Sequence, residues 1–60
     1  MEYCSTAFLY HLGDRKPLEK LDRHLNEWGE AGWRLVATNV VVTGPDGEGR
    51  EHHFIWERGR

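Results

Sequence analysis

The sequence predicts an α+β domain of order β-α-β-β, one helix packed on a three-stranded, mostly antiparallel sheet, and three observations lead there. Residues 17–28 repeat large apolar side chains at helical spacing, residues 2–12 and 33–43 are rich in β-branched and aromatic residues, and a Gly/Pro/Asp turn joins the second of these stretches to a third at 50–58. At 60 residues this is a single domain, near the lower limit at which one core offsets chain entropy without help.

The first strand, Glu2 to Leu12, has no Gly or Pro before Gly13. One of its faces carries Tyr3, Ala7 and Leu9, the other Cys4, Thr6, Phe8, Tyr10 and Leu12. Neither face is polar, so both are expected to be covered. Gly13 to Lys16 is a polar break, with Asp14 or Lys16 near the helix cap. Pro17 suits the first helical turn, where its missing N–H costs nothing, and Glu19 sits favourably in the positive end.

The helix is expected over 17–28. Leu18, Leu21, Leu25 and Trp28 fall on one stripe, and Glu19, Lys20, Arg23 and Glu27 on the opposite face. Gly29 follows the last apolar residue and is expected to take the left-handed conformation that stops a helix. After a turn through Glu30, Ala31 and Gly32, the second strand runs over 33–43. Residues 44–49 are the strongest turn signal, with Pro45 at position i+1 and Gly47 free to take a left-handed φ. The third strand spans 50–58, and Gly59 and Arg60 form a frayed tail. The third strand is expected in the centre, antiparallel to both others, because its run from His53 to Trp56 is nearly continuous in apolar character.

The expected core is Leu18, Leu21, Leu25, Trp28, Trp33, Leu35 and Phe54. Two hairpin registers one residue apart remain open. If Thr43 opposes Arg50, then Leu35, Ala37 and Val41 share a face with Phe54 and Trp56; a tighter turn puts Val36, Val40 and Val42 there instead. Both leave apolar residues on both faces.

Residues 25–36, Leu-Asn-Glu-Trp-Gly-Glu-Ala-Gly-Trp-Arg-Leu-Val, resemble a small uncharacterised domain family of bacteria and their phages. Its members are of about this length and centre on a helix that ends in a leucine, a glycine and an acidic residue, followed by glycine, tryptophan and a strand. The resemblance implies the β-α-β-β fold and a bacterial or phage setting, and it assigns no catalytic residues. The chain departs from the pattern at Trp28, where an aliphatic residue is common, and in its His-rich third strand.

The remaining chemistry is sparse. A net charge of −2 and a pI near 6.0 disfavour a protein built to coat nucleic acid. Cys4, the only cysteine, suits a reducing, cytoplasmic compartment and leaves no intrachain disulfide; the N-terminus lacks a signal-peptide pattern, and no stretch is long enough for a membrane span. His11, His24, His52, His53 and Cys4 show no metal-ligand spacing, so neither a metal nor a cofactor is expected. Cys4 reads as a strand residue and not as a nucleophile, since so short a chain has little room for a cleft and an orienting group; enzymatic activity is not expected. Glycines 44, 47 and 49 are turn residues, without the helix N-terminus a phosphate loop needs.

The candidate binding residues lie on the hairpin: Arg34, Arg50, His52, Trp56 and Arg58, with Trp33 and Arg60 nearby. Basic and aromatic side chains on a β-ribbon can pair with phosphates and stack on bases, though Glu48, Glu51 and Glu57 dilute the patch. A nucleotide held between protomers by the same Arg, Trp and His side chains is the small-ligand alternative. The leading expectation is different. Three tryptophans, two tyrosines and two phenylalanines exceed what one helix can cover, so a homo-oligomer, most simply a dimer, formed through a sheet face or edge is expected, with a protein partner as a further occupant.

Overall fold

The computed structural model describes residues 1–59; Arg60, expected in the frayed tail and beside the hairpin arginines, lies outside them. The elements are β1 (Glu2–His11), α1 (Pro17–Glu30), β2 (Arg34–Thr43) and β3 (Gly49–Arg58). The sheet order is β1-β3-β2, and β3 runs antiparallel to both neighbours. β1 and β2 are therefore parallel to each other, and α1 is the crossover that carries the chain past β3 from one edge to the other. This is the expected α+β architecture with β3 in the centre.

The end of α1 differs from the sequence expectation. The helix continues through Gly29 to Glu30, and the left-handed glycine is Gly32, with φ 92°. Trp33 N–H donates to Trp28 O at 3.2 Å, and Gly32 N–H to Gly29 O at 3.0 Å, the two bonds of a Schellman stop. The apolar contact that accompanies such a stop is Trp28 against Trp33, ring centroids 5.7 Å apart. Placing the stop three residues later is what brings Trp33 back onto the helix. Gly32→Ala should therefore destabilise the domain by about 1–2 kcal/mol, because a Cβ at this φ meets the following carbonyl. Gly29→Ala, with open space around a new Cβ, should stabilise it by about 0.5–1 kcal/mol. Paired chemical denaturation of the two variants checks both signs.

At the other end, Lys16 caps α1 in the left-handed region at φ 54° and makes no side-chain cap bond. Asp14 is engaged earlier, accepting the His11 N–H at 2.8 Å and so closing the turn that ends β1.

A bulge settles the hairpin register. Thr43 pairs with Gly49, and Val42, Val40 and Thr38 face Arg50, His52 and Phe54, as the tighter turn requires. At the far end Val36 is the extra residue, so that Leu35 and not Val36 stands opposite Trp56. The tighter register thus holds from Ala37 to Thr43, the register with Thr43 opposite Arg50 is not adopted, and beyond the bulge the pairing shifts one residue further the other way.

β1 alternates between half-buried and exposed along its whole length, with Cys4, Thr6, Phe8 and Tyr10 turned to the helix side. Phe54 and Trp56 on β3, 3 % and 2 % exposed, are the buried apolar residues among those described. Leu21, His24, Leu25 and Trp28 of α1 and Trp33 are half-buried around them. Leu18 does not join the core and is 64 % exposed. At 100° per residue it lies about 90° around the helix from the line through Pro17, Leu21, His24 and Trp28 that meets the sheet. Leu35, although opposite Trp56 on the helix side, also stays outside the core and is 40 % exposed. The molecule is a plate of 43 × 19 × 10 Å with a radius of gyration of 12.8 Å, against the ~10.4 Å expected for a compact 60-residue domain.

Candidate functional site

The side of the sheet under α1 is closed by rings. His24 lies 5.7 Å from Phe8 and 5.6 Å from Phe54, and Trp28 stacks on Trp56 at 5.8 Å. The polar atoms inside this cluster satisfy each other: Trp56 Nε1–H donates to Thr6 Oγ1 at 2.8 Å, and Thr6 Oγ1 lies 3.2 Å from His24 Nε2. His24, three residues after Leu21 and four before Trp28, belongs to the packed stripe and offers no open ligand position.

The five candidate binding residues do not converge. Trp56 is core. His52 stacks on Tyr10 at 5.3 Å and its Nε2 lies 3.2 Å from the Tyr10 hydroxyl. Arg50 Nη1 donates to the carbonyls of Gly47 and Gly49, at 2.8 and 2.9 Å, and so pins the hairpin turn. Arg58 lies over the Trp33 ring at 4.3 Å and donates to Glu2 Oε1 at 3.0 Å. Arg34 is on the opposite face and pairs with Glu57. Each guanidinium is committed to an intramolecular acceptor, and the three are spread over both faces and both ends of the hairpin.

One group of potential metal donors forms where β1 meets the hairpin turn. His11 Nε2 lies 3.2 Å from Asp46 Oδ2 and 3.6 Å from Glu48 Oε2. All three residues are exposed. The Gly13 N–H donates to His11 Nδ1 at 3.0 Å, which leaves the ring proton on Nε2, directed at the carboxylates. A metal-bound imidazole needs the reverse: a lone pair on Nε2, with Nδ1–H donating outward. The arrangement is a clip between β1 and the turn. The Glu48 N–H, donated to Asp46 Oδ1 at 3.0 Å, and then His11 hold the Asp46 carboxyl below its ordinary pKa. A carboxyl lowered on folding contributes its stabilisation above its unfolded pKa and loses it as the pH falls through the lower folded value. The Asp46 carboxyl should accordingly titrate in NMR below the midpoint of a peptide spanning residues 44–49.

What remains open is the outside of the sheet. On the face away from α1, Tyr3, Ala7 and Leu9 of β1 stand beside Ile55 of β3 and Ala37 and Val41 of β2, interrupted by Glu51, His53 and Glu57. Tyr3 and Leu9 are 65 % and 64 % exposed. Along β2, every residue from Arg34 to Val42 is exposed, including Thr38, Val40 and Val42 on the helix side. The candidate residues from the sequence missed this edge. Its signal was legible as the run from Leu35 to Thr43, which contains no charge, Pro or Gly. A shallow groove along α1 is lined by the charged and amide side chains of Glu19, Asp22, Arg23, Asn26, Glu27 and Glu30 and is a solvated helix face. No helix among the described residues is long and apolar enough to cross a membrane. Comparison of the chain with family models, with curated proteins and with solved structures gives no match.

Proposed function

We propose that this domain is a small, non-enzymatic interaction module that works as a homo-oligomer and offers its sheet surface to a second copy and to a protein partner. The observation that carries this reading is the mismatch between apolar content and cover. A single helix buries Phe54 and Trp56, while Tyr3, Leu9, Val36, Val40 and Val42 stand exposed on a plate that is less compact than its length predicts. Apolar side chains exposed on both sheet faces and at both edges of so small a domain mark it as one that associates, and association supplies the burial that the monomer lacks. The lone, half-buried Cys4 suits a reducing cytoplasmic setting. Ligand and nucleic-acid binding through the hairpin would require Arg34, Arg50 and Arg58 to abandon Glu57, the turn carbonyls and Glu2, and the single-site chemistry they need is not assembled.

Sedimentation velocity from 1 µM to about 500 µM tests the proposal together with thermal unfolding over the same series. A stable assembly should sediment above the monomer mass, and its Tm should climb with concentration by mass action. A monomer throughout, with a Tm independent of concentration, would overturn it.

A further inference from the structure

The backbone of β2 identifies where the second copy sits. Leu12 N–H donates to Glu48 O across the β1–β3 ladder at 2.8 Å. Because hydrogen-bonded and non-hydrogen-bonded pairs alternate along an antiparallel ladder, the even-numbered residues of β3 bond to β1 and the odd-numbered ones to β2. Ala37, Asn39, Val41 and Thr43 stand opposite Ile55, His53, Glu51 and Gly49, and so spend their backbone groups on β3. Thr38, Val40 and Val42 turn their N–H and C=O outward along the edge of the sheet.

We infer that two copies join antiparallel along this edge, β2 to β2, with Asn39 on the two-fold axis, making one continuous six-stranded sheet. The inference rests on the oligomeric reading above and names its partner. Three features of the strand favour this contact over the alternatives. From Leu35 to Thr43 there is no charge, so an antiparallel copy meets no like-charged neighbour. The other surfaces are less suited: the face away from α1 carries Glu51, His53 and Glu57 in its central strand, which two stacked sheets would have to desolvate, and β1 already has its helix-side residues half-buried. The edge also lacks the usual guards against pairing. There is no Pro or Lys, and its one bulge lies at Val36, leaving Ala37 to Thr43 regular.

Symmetry then restricts the register to one centred on a residue, and Asn39 is the midpoint of the uncharged run from Leu35 to Thr43. A two-fold axis normal to the sheet keeps each residue on its own face, so the axis must pass through a residue and not between two. Asn39 as that residue places Thr38 opposite Val40 of the other copy, and Ala37 opposite Val41. It brings Val42 to Val36 and leaves Arg34 beyond the ladder. The Thr38–Val40 pairs exchange both backbone bonds, and β-branched side chains meet across the seam on the helix side. The two Asn39 residues form a non-hydrogen-bonded pair, with Cα atoms about 4.5 Å apart. Both helices lie on the same face of the joined sheet.

Three measurements test this. In the native chain, amide exchange at Thr38, Val40 and Val42 should slow at least tenfold between dilute and concentrated samples, while Asn39 and Val41, already bonded to β3, should change little. In a Cys4→Ser background, Asn39→Cys should give a nearly complete disulfide-linked dimer on mild oxidation, whereas Ala37→Cys alone should not, since its facing residue is Val41. Val40→Lys should raise the dimer dissociation constant at least tenfold. A dimer that cross-links through Ser5→Cys on β1 instead, or that withstands Val40→Lys with fast exchange at Val40 and Val42, overturns the β2 edge while leaving the oligomeric reading intact. A monomer at all concentrations overturns both.

Discussion

Trp56→Ala should leave the chain largely unfolded at room temperature. Trp56 is one of the two buried apolar side chains among the described residues, and its loss removes three contacts together. It stacks on Trp28, it packs against Phe54 with centroids 6.1 Å apart, and its Nε1–H holds Thr6 Oγ1, which in turn meets His24. Truncating a buried Trp costs about 3–5 kcal/mol. A 60-residue domain has a stability of roughly 3–9 kcal/mol, so the loss is comparable with the whole. Trp56→Phe retains most of the ring area and removes only the Nε1–H bond to Thr6 Oγ1, which keeps its contact with His24, so it should cost about 1–2 kcal/mol. Circular dichroism of the two variants, followed by urea titration of the Phe form, distinguishes a collapsed core from a lost hydrogen bond. A Trp56→Ala chain that melts as cooperatively as the parent would mean the core lies elsewhere.

Removing Arg34 should cost more than neutralising its partner. Glu57 is the buried charged residue of the sheet, 8 % exposed on the face away from α1, where it stands opposite Tyr3 and Arg34; the Arg34 side chain is mostly in solvent. Arg34→Met withdraws the guanidinium and leaves a carboxylate with little access to water, which costs about 1–3 kcal/mol. Glu57→Gln leaves Arg34 free to hydrate and keeps a polar acceptor in place, so it should change stability by less than about 1 kcal/mol. The double variant should be close to Glu57→Gln alone, giving a coupling energy between neighbours. Urea midpoints of the four proteins complete the cycle. Equal losses from the two single substitutions would show that the pair acts as an ordinary surface ion pair.

The stretch from Leu25 to Val36 shows how local and tertiary information divide. The order of elements is written locally: Pro17 suits the first turn of a helix, Leu21, Leu25 and Trp28 repeat with its period, and the turn at 44–49 joins two strand-like runs, so β-α-β-β follows from short-range sterics and periodicity, while the apolar run from His53 to Trp56 points to β3 in the middle. Which of Gly29 and Gly32 ends α1 does not. Both are followed by residues that tolerate a turn, and the choice falls to Gly32 because only that stop lays Trp33 against Trp28 and admits Arg58 above it.

The same division runs through the candidate site. That the hairpin is rich in arginine and aromatic residues is plain from the chain, yet whether they converge depends on the pairing of distant strands. The bulge at Val36 sets Arg34 on the face of Glu57, while β1 supplies Glu2 to Arg58 and Tyr10 to His52. Leu18 fits a helical stripe by spacing and falls outside the core because the sheet meets α1 along Leu21, His24 and Trp28. The uncharged run of β2 is visible in the sequence; that its outward N–H and C=O groups belong to Thr38, Val40 and Val42 depends on the phase of the ladder with β3. Spacing along the chain establishes which residues can share an element. Only packing between elements decides what each face then meets, since one residue of register reverses every side chain of a strand.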